Sequence, residues 1–155
     1  MQGARAILPV VARTDVHDTA ATRLRALGQQ YTTTRRTVVE VLRKARDPLS
    51  IPEIMKGRPG LALSSVYRTL SVLEQAGVVH RLVTNSEFSR YELVEDLSTH
   101  HHHLICTSCG KVKDFTLSSK VERTASKSLE QVAEEAGFLV HGHRLDVVGL
   151  CADCA

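Results

Sequence analysis

The first half of the chain carries hydrophobic residues at helical spacing, separated by turn residues. Residues 1–20 show no clear period, and we expect a flexible N-terminal extension there. The pattern becomes helical at Thr22 and stops at Gly28. A second helix is expected from Thr34 to the residues before Asp47-Pro48, with an apolar stripe of Val38, Val39, Val41 and Leu42.

Two further helices and a hairpin are expected before residue 94. Ser50 and the glutamate three residues later form a capping-box pattern that begins a short helix over residues 51–56. Ser64 or Ser65 can cap a longer helix that ends before Gly77. From there the hydrophobic period changes to two, and residues 78–83 and 89–93 flank a polar turn.

Helix, turn, helix and two-stranded hairpin is the layout of a winged helix-turn-helix, whose second helix enters the major groove of DNA. We therefore predict a DNA-binding domain over residues 21–93. An acidic hinge over residues 94–99 leads to a second domain over residues 100–155. The pattern there predicts strands over residues 100–106 and 111–115, a helix over 118–136 and a last strand over 138–150. The expected fold class is α+β, with a winged helix-turn-helix followed by a small α/β domain.

Two Cys-x-x-Cys pairs, Cys106/Cys109 and Cys151/Cys154, stand near the two ends of the second domain. Four thiolates in two such pairs are the ligand set of a closed tetrahedral Zn²⁺ site, which can stabilise a domain with a small core. Disulfides or redox-active pairs are the alternative. The chain has no signal-peptide pattern and no apolar run of the roughly 20 residues that span a bilayer. We therefore expect a cytoplasmic, reducing location and no membrane, which favours metal ligands.

Charge divides the chain into two unlike parts. Residues 1–94 carry 14 Lys and Arg against 8 Asp and Glu, whereas residues 95–155 carry 6 against 9. A basic N-terminal half indicates nucleic acid as a partner. On the expected recognition helix, Ser65, Tyr67 and Arg68 can face outward, and Arg68 can donate to guanine. Arg35, at a helix N-terminus, suits a phosphate.

Four consecutive histidines, residues 100–103, come just before the first cysteine pair. Alternate side chains of a strand face opposite ways, so His101 and His103 share one face while His100 and His102 share the other. One strand can thus supply two separate metal sites. A purification tag or a solvated loop is the alternative, but this run is internal and framed by structured sequence.

Three motifs occur together in this chain. They are Ser65-Val66-Tyr67-Arg68-Thr69-Leu70, then Tyr91-Glu92-Leu93, then the four histidines followed by Leu-Ile-Cys-x-x-Cys-Gly-Lys. Over roughly residues 22–154 the chain resembles the ferric uptake regulator family of dimeric, metal-dependent bacterial repressors. The resemblance implies a homodimer that binds a double-stranded DNA operator, and it assigns the four cysteines to the structural zinc site of a dimerisation domain.

The resemblance also implies a regulatory metal site at the hinge. Its ligands would be His80, Glu92, His101 and His103, with Asp96 as a less favoured substitute for Glu92. Iron-type members have a further histidine before the third helix, where this chain has Pro48 or Leu49. His80 stands instead where zinc-type members have a ligand. Such a four-coordinate site suits Zn²⁺ and leaves Fe²⁺ short of its usual ligands.

A second regulatory site is implied on the other face of the histidine strand. Its ligands would be His100, His102, Glu122 and His143, with His141 as a substitute for His143. His17 has no evident partner in the sequence, and we expect it to be inert.

The function expected from these features is metal-gated repression of metal-homeostasis genes. Zinc is the favoured signal and iron the second choice, while peroxide sensing is less favoured because the hinge set is rich in histidine. From other classes of protein, a metalloenzyme with a histidine site and a metal-storage protein without DNA binding are the alternatives. No carboxylate is placed as an evident general base, so we expect no enzyme and no organic small-molecule substrate.

Overall fold

The computed structural model describes residues 15–84 and 89–155. The first domain contains α1 (Val16–Ala26), α2 (Thr33–Lys44), β1 (Leu49–Ser50), α3 (Ile51–Lys56), α4 (Leu63–Gln75), β2 (Val79–Leu82) and β3 (Arg90–Leu93). A single 3₁₀ turn, Glu95–Leu97, forms the hinge. The second domain contains β4 (His102–Cys106), β5 (Val112–Phe115), α5 (Ser119–Glu135) and β6 (Asp146–Gly149). In the described ranges, no helix combines the length and the apolar character needed to cross a membrane.

The first domain is a winged helix-turn-helix, as the hydrophobic pattern predicts. Its core is a continuous cluster in which the side chains of Leu24, Val38, Ile54, Leu70 and Leu73 are fully buried. Helices α1, α2 and α3 all contact α4, and α4 in turn contacts β2. This packing holds one face of α4 in the core and leaves the other face free for a partner.

Helix α1 begins earlier than the sequence pattern suggested. It starts at Val16, where Asp15 caps it by accepting a hydrogen bond of 2.7 Å from the backbone N–H of His17. Ala20 is fully buried within this added turn. The expectation of a flexible extension through residue 20 is therefore wrong for residues 15–20, and the rest of it, residues 1–14, lies outside the described residues.

His17, for which the sequence shows no evident partner, has two partners in the structure. Its Nδ1 lies 2.7 Å from the hydroxyl of Tyr31, and its Nε2 lies 3.1 Å from Oε2 of Glu40 on α2. The signal in the sequence was weak, because the partners lie 14 and 23 residues away along the chain. The histidine thus joins α1 to α2.

The wing contains a strand that the sequence did not reveal. Strand β1 has two residues, and its Leu49 pairs with Tyr91 of β3. Together β1, β3 and β2 form an antiparallel sheet in that order. Two residues are too few to establish a period of two, so the hydrophobic pattern could not predict this strand. Part of the expected hairpin turn, residues 85–87, falls outside the described residues.

The second domain has a three-stranded sheet with the order β5-β4-β6. Strand β4 is central, antiparallel to β5 and parallel to β6, and α5 makes the connection between β5 and β6. The last strand covers Asp146–Gly149 and not residues 138–150, because the preceding residues do not pair with β4. No residue of α5 or β6 is buried within the described chain.

Two hydrogen bonds join the two domains on the side of the hinge, one between Arg90 and Gly110 and one between Asp114 and Asp47. Arg90 of β3 donates to the backbone oxygen of Pro48 at 3.1 Å, to Glu53 at 2.9 Å and to the backbone oxygen of Gly110 at 3.0 Å. Asp47 accepts a hydrogen bond of 3.1 Å from the backbone N–H of Asp114. These contacts bring the wing beside β4 and β5.

We expect His17→Ala to lower the free energy of unfolding by about 1 kcal/mol, since it removes two part-buried hydrogen bonds, one to Tyr31 before α2 and one to Glu40 on α2. Denaturant unfolding followed by circular dichroism would measure the change. Arg25→Ala, at an exposed position of the same helix, is the control and should change stability by less than about 0.5 kcal/mol. Equal effects of the two substitutions would contradict a joining role for His17.

Candidate metal centres

The four cysteines come together because β4 and β6 run parallel. Cys106 ends β4 opposite Gly149 of β6, so the turns that follow the two strands lie side by side. All four sulfur atoms lie within 4.8 Å of one another, and Sγ of Cys109 lies 3.7 Å from Sγ of Cys151. A tetrahedral zinc ion with Zn–S bonds of about 2.3 Å separates its sulfurs by about 3.8 Å. The thiols are free and not disulfide-bonded, so the arrangement fits Zn²⁺.

Hydrogen bonds prepare this cluster for a cation. Backbone N–H groups of Cys109 and Cys151 lower the pKa of Cys106 to about 6, because they stabilise its thiolate. A hydrogen bond with Ser108 lowers the pKa of Cys154. The neighbouring thiols of Cys151 and Cys109 more than reverse this and raise that pKa to about 11. One thiolate therefore forms easily, while further negative charge in the cluster requires a compensating cation.

A second cluster lies at the hinge and contains ligands from both domains. Glu92 comes from β3 of the wing, His101 precedes β4, His103 lies on β4 and Asp114 lies on β5. One ligand atom from each of the four lies within 4.8 Å of the others. Oε2 of Glu92 is 3.0 Å from Nε2 of His101 and 3.2 Å from Nε2 of His103.

Both hinge imidazoles are oriented by a second hydrogen bond. Nδ1 of His101 lies 2.6 Å from the backbone oxygen of Thr99, and Nδ1 of His103 lies 3.0 Å from Oδ1 of Asp146. In each case Nδ1 donates its proton outward, which directs Nε2 toward the shared Glu92 oxygen. This is the ring orientation that a metal-binding histidine requires.

The electrostatics of the hinge cluster favour positive charge at its centre. Burial raises the pKa of Glu92, but hydrogen bonds from His103, His80 and His101 outweigh it and hold that pKa well below its usual range. Burial lowers the pKa of His103, but Glu92 and Asp146 more than reverse this and raise it overall. Burial raises the pKa of Asp114, and a cation beside it would reverse that effect.

Asp114 was missed by the sequence analysis, whereas His80 was expected as a ligand and is not among the four atoms that converge. The antiparallel pairing of β4 with β5 places Asp114 directly opposite His103. Pairing residues of β4 and β5 outward from the turn between them would have placed Asp114 beside His103. His80 pairs with Glu92 across the wing strands, but its Nε2 faces Arg144 at 2.7 Å. The substitute ligand Asp96 is held by Arg23 and lies outside the cluster.

A third cluster lies on the opposite face of the histidine strand. It contains His100, His102, Glu122 and His143, the four residues named from the sequence for a second site. The carboxylate of Glu122 lies 3.0 Å from Nε2 of His100, 2.9 Å from Nε2 of His102 and 3.0 Å from Nε2 of His143.

The third cluster is also electrostatically suited to a cation. A hydrogen bond from His102 lowers the pKa of Glu122, and a hydrogen bond to Glu95 raises the pKa of His100. The other nitrogen of His102, Nδ1, is buried and has no hydrogen-bond partner in the described chain. His141 is exposed and lies outside the cluster.

A cleft connects the hinge cluster with solvent. Its volume is about 1420 Å³, and Glu92, His101 and Asp114 are among the side chains that line it. Acidic groups at its floor attract cations, so the cleft offers an entry path for a metal ion.

The candidate DNA-contact residues differ in how accessible they are. Tyr67 and Arg68 of α4 are exposed and face away from the core, and Ser65 is partly exposed on the same helix. Arg35 is already engaged, because its guanidinium donates to Oε1 of Gln29 at 2.8 Å and to the backbone oxygen of Gln30.

The chain is similar to known regulators over most of its length. The family model described as "Ferric uptake regulator family" matches residues 26–148. A ferric uptake regulation protein of Campylobacter jejuni is 34% identical over 137 residues, covering 84% of this chain and 83% of that protein. A peroxide operon regulator of Bacillus subtilis is 30% identical, covering 85% and 88%. The structure of the ferric uptake regulator of Vibrio cholerae has a TM-score of 0.64 at 27% identity, covering 84% of this chain and 98% of that one.

Cys106→Ser should remove one equivalent of tightly bound zinc per chain and unfold the second domain. Structural zinc sites contribute about 10–16 kcal/mol in small zinc-binding peptides, far more than the small sheet of this domain can replace. Metal analysis and thermal unfolding of the zinc-loaded protein would show the loss. Ser108→Ala, in the same turn but without a ligand, is the control. Unchanged zinc content in the Cys106→Ser protein would contradict the assignment.

Proposed function

Because the chain belongs to the ferric uptake regulator family, whose members are transcription regulators and not enzymes, we propose that it is a metal-gated DNA-binding repressor of metal-homeostasis genes. It acts as a homodimer on palindromic operators in the cytoplasm. Family membership removes the metalloenzyme from the alternatives weighed above. The metal-storage alternative remains distinguishable by DNA binding.

The observation that carries this proposal is the origin of the hinge ligands. Glu92 belongs to the wing of the DNA-binding domain, whereas His101, His103 and Asp114 belong to the second domain. A cation held by all four fixes the angle between the two domains. In a two-fold dimer, this angle sets the spacing of the two recognition helices and hence their match to two operator half-sites.

Each residue of the hinge cluster has its own part in binding a divalent cation. A bound divalent cation supplies the positive charge that two carboxylates and two imidazoles can share. His101 and His103 are oriented by Thr99 and Asp146, so only Glu92 must be brought in from the other domain. Linkage then requires the metal and the operator to strengthen each other's binding by the same factor.

Zn²⁺ is our favoured regulatory ion at the hinge, with Fe²⁺ as the second choice. Four nitrogen and oxygen ligands suit a tetrahedral zinc ion, whereas ferrous iron takes further ligands. The similarity to an iron regulator and to a peroxide regulator is comparable, so identity does not discriminate between the signals. We assign Zn²⁺ to the four cysteines, and either ion to the second regulatory cluster of His100, His102, Glu122 and His143.

DNA binding is assigned to the exposed face of α4. Arg68 can donate two hydrogen bonds to a guanine, and Tyr67 and Ser65 can contact the neighbouring base or phosphate. Arg35 can reach a phosphate once its contact with Gln29 is released.

A second copy of the chain is the proposed partner of the second domain. Apolar side chains of α5 and β6 are exposed, among them Val121, Leu129, Val132, Val147 and Val148. Apolar area of this kind is normally covered in a stable assembly.

The joint substitution H101A/H103A should abolish metal-dependent operator binding while the protein remains a folded dimer. The two imidazoles are half of the hinge ligand set, and the structural cysteines are untouched. Gel-shift titrations with zinc and with chelator, on a duplex selected from a random pool by the wild-type protein, would measure the loss. Size-exclusion chromatography checks the dimer, and His141→Ala is the matched control. The gating proposal fails if H101A/H103A still binds this duplex in a zinc-dependent way.

Arg68→Gln should weaken operator binding by about 1–3 kcal/mol and relax base preference at one position, without altering zinc content. Fluorescence anisotropy with the selected duplex and with single-base variants of it would test this. Lys127→Gln removes an equal charge on α5 and should leave affinity unchanged. Wild-type affinity and base preference in Arg68→Gln would rule out α4 as the reading element.

A further inference from the structure

Arg144 reaches from the second domain to the wing. It lies in the segment before β6, one residue after His143 and two before Asp146. Its Nη1 lies 2.7 Å from Nε2 of His80, and its Nη2 lies 3.1 Å from Nδ1 of the same ring.

The contact determines what His80 can do. A guanidinium has only donors, and its two nitrogens face both ring nitrogens of His80, so Arg144 donates to whichever of them carries the lone pair. Nδ1 also lies 3.5 Å from Oε1 of Glu92. With its lone pair accepting from Arg144, a neutral His80 has no free electron pair for a metal ion.

The guanidinium also places a permanent charge beside the hinge cluster. Nη2 of Arg144 lies 3.9 Å from Oε1 of Glu92. The other oxygen of that carboxylate, Oε2, faces His101 and His103. Glu92 is thus shared between the cluster on one side and the His80–Arg144 pair on the other. A fixed positive charge at this distance opposes a second cation at the cluster.

We propose that Arg144 sets the metal affinity of the hinge site by holding His80 out of the ligand set and by keeping a positive charge next to Glu92. The proposal rests on the metal-gated function proposed above. Removal of the guanidinium then strengthens metal binding, whereas removal of an ordinary supporting residue weakens it. His80 becomes a ligand only when Arg144 is gone.

Arg144→Gln should therefore bind zinc at the hinge about five- to tenfold more tightly than the wild type. Coulomb's law allows a larger change, but about half of the Arg144 side chain is exposed and solvent screens its charge. Competition with a chromophoric chelator, with the cysteine site already filled by zinc, would measure the affinity. Lys127→Gln is the control for loss of one positive charge and should leave affinity unchanged. Equal or weaker binding in Arg144→Gln would overturn the proposal.

A double-mutant cycle tests the part assigned to His80. His80→Ala should change zinc affinity less than twofold in the wild type, but should cancel most of the gain in Arg144→Gln. The visible spectrum of Co²⁺ at the hinge should change between wild type and Arg144→Gln, because an imidazole joins the coordination shell. An equal loss of affinity from His80→Ala in both backgrounds would show that His80 is already a ligand, and would overturn the proposal.

The H101A/H103A protein separates this inference from the proposed function. If H101A/H103A binds as many zinc ions per chain as the wild type, and as tightly, the hinge site itself is refuted and the role of Arg144 with it. If H101A/H103A binds one zinc ion fewer while Arg144→Gln has wild-type affinity, only the role of Arg144 is refuted.

Discussion

The carboxylate of Glu92 and the imidazoles of His101 and His103 join the wing to the second domain at a cluster of possible metal ligands, and the proposed gating depends on this contact. One oxygen of Glu92 lies within 3.2 Å of both rings, and Glu92 is the ligand of this cluster that comes from the wing. Nδ1 of each histidine donates to an acceptor of its own, the backbone oxygen of Thr99 for His101 and the carboxylate of Asp146 for His103. The other three residues of the cluster belong to the second domain, so in the proposed mechanism a bound metal ties the wing to that domain through Glu92.

The alternation of side chains along one short segment explains why two histidine clusters exist and do not merge. His101 and His103 turn toward the wing, while His100 and His102 turn toward α5 and meet Glu122. Among the residues that the structure describes, the first pair alone contacts a side chain of the wing, that of Glu92. The third cluster, of His100, His102, Glu122 and His143, lies among residues of the second domain and the segment that leads into it. Any effect of a metal there on DNA binding is therefore indirect, through the position of α5 or of the shared strand.

Local patterns predicted much of this molecule, and long-range pairing accounts for what they missed. Helices α2 and α4, the wing strands and the cysteine cluster follow from periodicity and spacing. Asp114 was missed because its place opposite His103 depends on the register of two strands. Strand β1 was missed because it is too short to have a period. The contact of Arg144 with the ring of His80 was not predicted, because the two residues are 64 positions apart and nothing local indicates it.

The cysteine cluster and the hinge cluster lie at opposite ends of the same strand. Cys106 ends β4, and His103 lies near its beginning, so zinc at the cysteines holds the strand that carries the hinge histidines. Arg90 adds a second connection, because it links the wing to the backbone oxygen of Gly110 in the cysteine turn. The structural site thus positions one half of the hinge site and also contacts the domain that supplies the other half. Arg90, Asp47, Glu92 and His80 of the first domain all contact the second domain, and of these four Glu92 alone belongs to the hinge cluster.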